Sequence, residues 1–544
     1  MEPEPADSPD YVQKIRESLK ILVDGGGLLN ARELLKTLRP AFPEDTWLAT
    51  MEAYVHLRLG SNEQAAEVAA EALSLGSDDP MAVLVLGTAH RNRGRHVQAA
   101  EVLLDAHRRL PGRVDAACML VEETAAAHGL ERARSIYDEV FDRLPDHSVA
   151  ICWAKLLFEA GVDGEMPVGA VSAPVMSVPA WTAQAGSTLD FIGPRENTPV
   201  ETPPVFGEPD AARFKVSVPG YIRYASTLRG ATIFAKSGIV LMPDGVALND
   251  TIADERFGRF LDLRHDKTVV RRRGERLLLD VGQYPVTEIE AGVMLSGWVS
   301  EHFGHWVPEY LCRVSYLERH PLFAELPIIV DSDMPAQHLE YLSLLVPNRI
   351  VQIPAGEALR CGELVVASPS TFFPVHLTPD HNVPPQNQGG LPTDGFRFLQ
   401  NRVLQHMPAP SSRRRKLYLS RKSRTWRNLV NEDAISDALA ARGFEILFPE
   451  DLSFEEQVKM YQAAKVVVAP NGSSLLNAIF APKDMTLVIL SQRGLFNWGT
   501  YYGLMRELGY DLTFLCGDEE TDQKHANYSI PLPRLIAALE ALSA

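Results

Sequence analysis

Apolar residues in the first third of the chain recur at helical spacing, as in Trp47, Met51, Tyr54 and Val55 and again in Ala65, Val68, Ala69 and Ala72. Gly60 and Ser61 break the pattern between the two runs, which predicts a pair of helices joined by a turn. A shift of 34 residues brings Gly26, Gly60 and Gly94 into register, and Ala31, Ala65, Ala99 and Ala133 likewise. The same shift aligns Glu71 with Asp105 and Glu139, and Leu110-Pro111 with Leu144-Pro145. Four helix hairpins are therefore expected over residues 11–162. Small residues at the Ala65 class of positions let the two helices of a unit approach, and stacked neighbours bury the face that a lone hairpin leaves wet.

The helical pattern stops at Gly161. Prolines then accumulate at Pro167, Pro174, Pro179, Pro194, Pro199, Pro203, Pro204 and Pro209, which predicts a linker over 163–212. Trp181, Phe191 and Phe206 are poor residues for a freely solvated tether, so this linker is expected to pack on a neighbour. Short apolar runs at 238–242, 327–331, 349–353 and 363–368 alternate with helical stretches and predict an α/β domain over 213–390. A Pro/Gln/Gly-rich stretch at 384–393 separates it from a last domain, 391–535.

That last domain has the clearest pattern. Strand 417–420 precedes a helix opened by Asn431, Glu432 and Asp433 and closed at Gly443, and strand 444–448 follows. A Ser453/Glu456 capping box then opens a helix with the stripe Phe454, Val458 and Tyr461. Strand 465–469, a turn, a short helix ending at Phe480 and strand 486–490 complete a doubly wound parallel sheet. Such sheets bind ligands at the carboxyl ends of their strands.

Composition narrows the function class. Hydrophobic residues make up 46% of the 544 and charged residues 23%, the balance of a folded multi-domain chain. A formal charge of -17 argues against coating nucleic acid or an anionic membrane. The five cysteines form no C-x-x-C pair, and no histidine stands at zinc-finger spacing, so no structural zinc is expected. The start Met-Glu-Pro-Glu-Pro lacks a positive, apolar leader and no long uncharged apolar run follows, so a cytoplasmic protein without a membrane span is expected.

Three segments carry candidate chemistry. After the valine strand the chain reads Asn471-Gly472-Ser473-Ser474-Leu475-Leu476-Asn477, a glycine turn opening a helix whose backbone N–H groups suit a phosphate or diphosphate; an ordinary helix start is the plain alternative. After another strand of the same sheet comes Ser420-Arg421-Lys422-Ser423-Arg424-Thr425-Trp426-Arg427, whose cations can neutralise a nucleotide diphosphate without a metal; the alternative is a solvated basic loop. In the first α/β domain, His305 and Glu309 share a helix face opposite Phe303, Trp306, Val307 and Tyr310. Pro308 is tolerable only in a first turn, so His305 belongs near the helix N-terminus. Either His305 or Glu309 can act as a general base, or the pair can simply cap the helix.

The hairpins of residues 11–162 resemble tetratricopeptide repeats, which implies a groove for a protein partner, or a spacer or self-association contact. Residues 213–535 resemble glycosyltransferase family 61 in three blocks. Phe303-Gly304-His305-Trp306 through Glu309 and Arg313 is similar to the family's His-aromatic helix. Tyr418-Leu419-Ser420-Arg421 through Asn431-Glu432 is similar to its arginine strand-end. Phe454 to Gln457 and Ala464 to Asn477 are similar to its glutamine helix and glycine turn.

The resemblance implies a helical-repeat array followed by a GT-B type pair of Rossmann-like α/β domains. It implies an inverting transfer from a nucleotide-sugar donor to a glycan or protein acceptor, with no further cofactor. Donor-binding residues are then Arg421, Arg424, Asn431, Glu432, Asn471, Gly472, Ser473, Ser474 and Asn477, with the base on the His305/Glu309 helix. One departure stands out: the family turn reads His-Gly-Ala-Gly, and Asn471 replaces its histidine, so Asn471 donates a hydrogen bond but carries no positive charge. A non-catalytic scaffold built on the repeats is the rival that this departure motivates. Asp331-Ser332-Asp333 resembles the metal pair of a different transferase fold but falls in the wrong domain to meet donor phosphates, and no metal site is assigned.

Overall fold

The structure, a computed structural model, describes residues 9–208, 214–256, 258–371, 378, 389–408, 410, 415–421, 427–493, 497–521 and 526–543. Two compact units divide it: one runs to Ser172 and takes in Leu278–Gly282, the other covers Ala173–Leu277 and Gln283 onward.

The first unit holds helix pairs Pro9–Asp24 with Leu28–Ala41, Thr46–Arg58 with Asn62–Ser74, Pro80–Asn92 with His96–Arg109 and Val114–His128 with Leu130–Arg143, then His147–Ala160. Gly26, Gly60 and Gly94 sit in the inter-helix turns at φ 77, 78 and 68, a left-handed conformation that explains their register. Ala31, Ala65, Ala99 and Ala133 are each 0% exposed, as close helix approach requires. A second repeat of the pattern lies in the caps: Asp45 accepts from the Trp47 and Leu48 amides, and Asp79 from the Met81 amide.

In the second unit, strands Ile350–Ile353, Ile328–Asp331, Val286–Met294 and Ala358–Ala367 lie side by side and parallel. Ala358–Ala367 then pairs antiparallel with Arg223–Arg229 and Thr232–Phe234. The sheet of the first α/β region is thus mixed, where the sequence reading expected a Rossmann-like domain. The reason lies in the connections. Parallel pairing needs crossovers such as the one carrying helix Ala336–Leu345, while the short turns joining Thr232–Phe234, Val240–Leu241 and Ala247–Leu248 make these consecutive strands antiparallel to one another.

The second sheet is as expected: Glu445–Leu447, Arg415–Leu419, Ala464–Pro470, Thr486–Gln492 and Leu512–Glu519 are parallel in that order, with Tyr528–Ser529 antiparallel at the edge. The Ser453/Glu456 capping box is present, and Phe454, Val458 and Tyr461 are fully buried.

The proline-rich stretch read as a linker over 163–212 carries structure within its described residues: strand Ala170–Met176, helix Val178–Ala185, strand Asp190–Gly193 and strand Asn197–Glu201. Two of its prolines stand where no N–H donor is needed, Pro179 in the first turn of its helix and Pro199 in a two-stranded sheet. Trp181 donates its indole N–H to Asp244 at 3.0 Å, and Phe206 packs into the second sheet's core, whereas Phe191 is exposed.

Candidate functional site

Numbered along the chain, the second sheet's parallel strands lie in the order 2-1-3-4-5, which puts the reversal of strand order between Arg415–Leu419 and Ala464–Pro470. A crevice opens outside the carboxyl ends of two such strands. Arg421 follows the first and Asn471 to Ser474 the second, and the two segments meet. The Arg421 Nη1 donates to the Asn471 carbonyl at 2.5 Å. A Cβ on Gly472 would stand 3.2 Å from Arg421 Cδ and 3.3 Å from its Nε and Nη1. Gly472 has φ −168, extended backbone open to any residue, so its missing side chain serves this close approach.

A buried carboxylate sets the arginine. Glu432 accepts from the Tyr418 hydroxyl at 3.0 Å, the Ser420 hydroxyl at 2.7 Å and the Arg421 amide at 3.1 Å. Asn431 brackets Ile530, donating to its carbonyl at 2.7 Å and accepting from its amide at 3.1 Å. Asn471 donates to the Ser491 hydroxyl at 3.3 Å. Asn477, 1% exposed, donates to Gln457 at 2.9 Å, and Gln457 in turn holds the Pro449 carbonyl at 2.8 Å. These four residues, assigned to the donor from sequence, brace the walls of the site and do not line it.

The lining belongs to a cleft of about 590 Å³. On one side stand His302, His305 and His338, on the other Arg421, Arg427 and the turn from Gly472 to Ser474. The two sides touch: a Cβ on Gly304 would come within 3.2 Å of Ser473 Cβ. His305 occupies the first helical turn, Phe303–His305, as expected from Pro308. The regular helix anticipated beyond it is instead a wide π turn at Trp306–Tyr310 and a tight turn at Leu311–Arg313, a local irregularity of the kind that accumulates at functional sites.

His305 Nδ1 lies 2.5 Å from Glu309 Oε1, with side chains 18% and 10% exposed. A carboxylate only accepts, so Nδ1 carries the proton of this bond and Nε2 is the basic nitrogen. Glu309 itself lines a separate cavity, behind the histidine.

Three cleft residues, His302, His338 and Arg427, were not singled out from the sequence. Arg427, at φ 58, has a buried Nε with no hydrogen-bond partner among the described residues; burial, and then the Arg421 charge, push its pKa down to about 10. Its signal was present in the basic run, but nothing in the sequence separates the buried cation from solvated ones. His338 comes from helix Ala336–Leu345 and stacks on Trp306 at 5.9 Å; burial pushes it down to about 4, so it is neutral at physiological pH. Arg424 lies outside the described residues.

Asp331 accepts from the Lys236 and Gly297 amides and the Ser300 hydroxyl at 2.6, 2.9 and 2.7 Å, and Asp333 pairs with Lys236. Among the described residues no group of three or more His, Cys, Asp or Glu side chains is gathered as metal ligands. Nor is any helix among them long and apolar enough to cross a membrane.

Residues 303–489 match the family model of glycosyltransferase 61. The matched segment is shorter than the 213–535 read from the sequence and contains His305, Glu309, Arg421, Arg427 and the glycine turn. Two solved tetratricopeptide-type structures are similar to the helical array. MamA from Desulfovibrio magneticus RS-1 is 16% identical over 28% of this chain and 85% of its own, at a TM-score of 0.25. YrrB, a TPR protein with an unusual peptide-binding site, is 14% identical over 27% and 76%, at 0.24. No curated protein matches the chain.

Proposed function

We propose, from the glycosyltransferase 61 domain carried by residues 303–489, that this chain transfers a sugar from a nucleotide-diphosphate donor to a hydroxyl of a glycan or protein with inversion, on a two-lobed GT-B type scaffold. The observation that carries the reading is the convergence of Arg421, Gly472 and the His305 segment on one cleft.

The chemistry follows from the side chains. His305 Nε2 takes the acceptor's hydroxyl proton while Nδ1–H stays bound to Glu309, which holds the ring in one tautomer and stabilises the imidazolium that forms. The acceptor oxygen attacks the anomeric carbon from the face opposite the leaving group. As the bond to the diphosphate breaks, its electron pair leaves with the nucleotide, where Arg421, Arg427 and the backbone N–H groups of the glycine turn neutralise the charge. Two guanidiniums at one crevice supply the positive charge this step needs, so the reading calls for no metal and no further cofactor. The repeats recruit the acceptor or a partner protein.

Titration calorimetry with uridine and guanosine diphosphates, beside turnover on a panel of nucleotide sugars, tests this. Wild type is expected to bind one diphosphate, and Arg421→Ala to lose it without unfolding. Absence of both binding and turnover across the panel would overturn the transferase reading and leave the scaffold.

A further inference from the structure

Cys118 and Cys152 stand 34 residues apart, one repeat period, and so occupy the same place on helices Val114–His128 and His147–Ala160. Thr50 and Leu84 fill that place in the two preceding units. Stacking of the repeats therefore brings two thiols together at one end of the array. Cys152 Sγ lies 3.3 Å from the Cys118 carbonyl oxygen and 3.7 Å from Glu122 Oε1, and Cys118 Sγ lies 3.6 Å from the Ser148 carbonyl oxygen. The two thiols are also hydrogen-bonded to each other.

Their surroundings make them unequal. Cys118 is half-buried and open to solvent, and the bond from Cys152 lowers its pKa against the opposing effects of burial and the Glu122 carboxylate. Cys152 is 3% exposed; the bond it gives to Cys118, and then burial, hold its proton on. Cys312, Cys361 and Cys516 are buried in the other unit, and burial pushes all three up, Cys361 and Cys516 to about 12. The thiolate is the reactive form of cysteine, and an accessible thiolate beside a second thiol is the arrangement that oxidants address first.

We propose that Cys118 and Cys152 form a peroxide-responsive site, with Cys118 as the attacking thiolate and Cys152 as the resolving thiol, whose oxidation staples helix Val114–His128 to helix His147–Ala160. The Cys118 thiolate attacks one oxygen of hydrogen peroxide and breaks the O–O bond. This gives a sulfenic acid and a hydroxide that takes up the proton Cys118 released. Cys152 sulfur then attacks Cys118 sulfur, and the sulfenic hydroxyl leaves with the Cys152 proton as water. Two thiols and one peroxide thus become one disulfide and two waters, the two electrons passing from sulfur to the peroxide oxygens.

Reduced full-length protein, treated with a small molar excess of hydrogen peroxide, digested without reductant and mapped by mass spectrometry, tests the site. The expected product is one pair of linked peptides carrying Cys118 and Cys152, two hydrogens lighter than their sum, with Cys312, Cys361 and Cys516 still free to alkylate. Dithiothreitol should reverse the link. Cys152→Ser should stop at a Cys118 sulfenic acid that dimedone captures, and Cys118→Ser should leave Cys152 reduced; each variant keeps a hydroxyl in the thiol's place. Amide hydrogen exchange in the two helices should slow in oxidised wild type and in neither variant. An unreacted Cys118, its conversion to sulfinic acid without a link, a link between chains, earlier oxidation of any of the other three thiols, or a disulfide that leaves exchange in both helices unchanged would overturn the proposal.

Discussion

Arg427 is held at a cost, and removing it should expose that cost. Its guanidinium is buried beside Arg421 with Nε unpartnered, and its pKa falls to about 10. Each pH unit of that descent is about 1.4 kcal/mol against the charged form, so the folded state without ligand carries on the order of 3 kcal/mol of uncompensated charge. The sign is fixed by the direction: the cost stands at every pH below about 10 and is relieved only as the guanidinium loses its proton above it. Arg427→Met keeps the stem and drops the charge. In a unit of this size each kcal/mol moves the melting temperature by about 2 °C, so the ligand-free variant should melt several degrees higher than wild type, uniformly from pH 6 to 9. Uridine or guanosine diphosphate should raise the wild-type melting temperature by linkage and leave the variant unmoved. Scanning calorimetry of both proteins with and without diphosphate gives the four values. A variant that melts lower without ligand yet keeps its ligand shift would refute the reasoning and make Arg427 a structural cation.

His305→Ala should lower transfer by about two to four orders of magnitude with diphosphate binding intact, and Glu309→Gln by about tenfold because its amide oxygen still accepts from Nδ1; equal, mild losses in steady-state assays would indicate a helix cap. Gly472→Ala should weaken diphosphate about tenfold by displacing Arg421, while the urea midpoint stays put, because φ −168 suits alanine; unchanged calorimetric affinity would remove the glycine from the site. Burial pushes the Asp266 carboxyl up to about 6, so the folded state is penalised when this group is charged and gains stability as pH falls through 6 toward 4. Asp266→Asn should flatten that gain, worth on the order of 2 kcal/mol, in urea melts at pH 7.5 and 5; parallel slopes for the two proteins would contradict it.

The regular parts of this protein were legible because one local rule repeats in them. Glycine at each inter-helix turn, alanine at each close approach and a capping box before an apolar stripe are each decided within a few residues. The positions of Arg421 and the glycine turn were legible for a related reason: strand ends are readable, and strand order in a parallel sheet brings the ends to one edge. Asn431, Glu432, Asn471 and Asn477 carry hydrogen bonds that the local sequence does not reveal, because polar residues beside a site look alike in sequence whether they face a ligand or brace a loop. What separates them is a partner distant in the chain, Ile530 for Asn431 and Gln457 for Asn477. His338 escaped notice for the same reason, since its place in the cleft depends on stacking against Trp306 from another helix. The proline-rich stretch misled because proline signals only a missing donor, and edge strands and first helical turns tolerate that as readily as a linker does.

The two sheets of the second unit do not behave as separate halves around the cleft. One continuous core runs from Val293 and Leu295 beneath the first sheet to Phe514 and Cys516 in the second. Tyr341 and Phe454 stack at 4.0 Å across it, the Phe454 amide donates to Glu340 at 2.7 Å, and Gln337 reaches the Glu450 and Leu452 carbonyls at 3.2 and 3.3 Å. Tyr341, Phe454 and Phe480 are fully buried there. Prising the sheets apart would expose three aromatic side chains at about 1.5–3 kcal/mol each, a sum on the scale of a domain's whole stability. A diphosphate cannot supply that difference merely to gain access. The cleft is therefore a preformed one. In the proposed transfer, the two guanidiniums already gathered at this cleft need not move to meet the departing charge, and electrostatic stabilisation is greatest where dipoles and charges are fixed in advance.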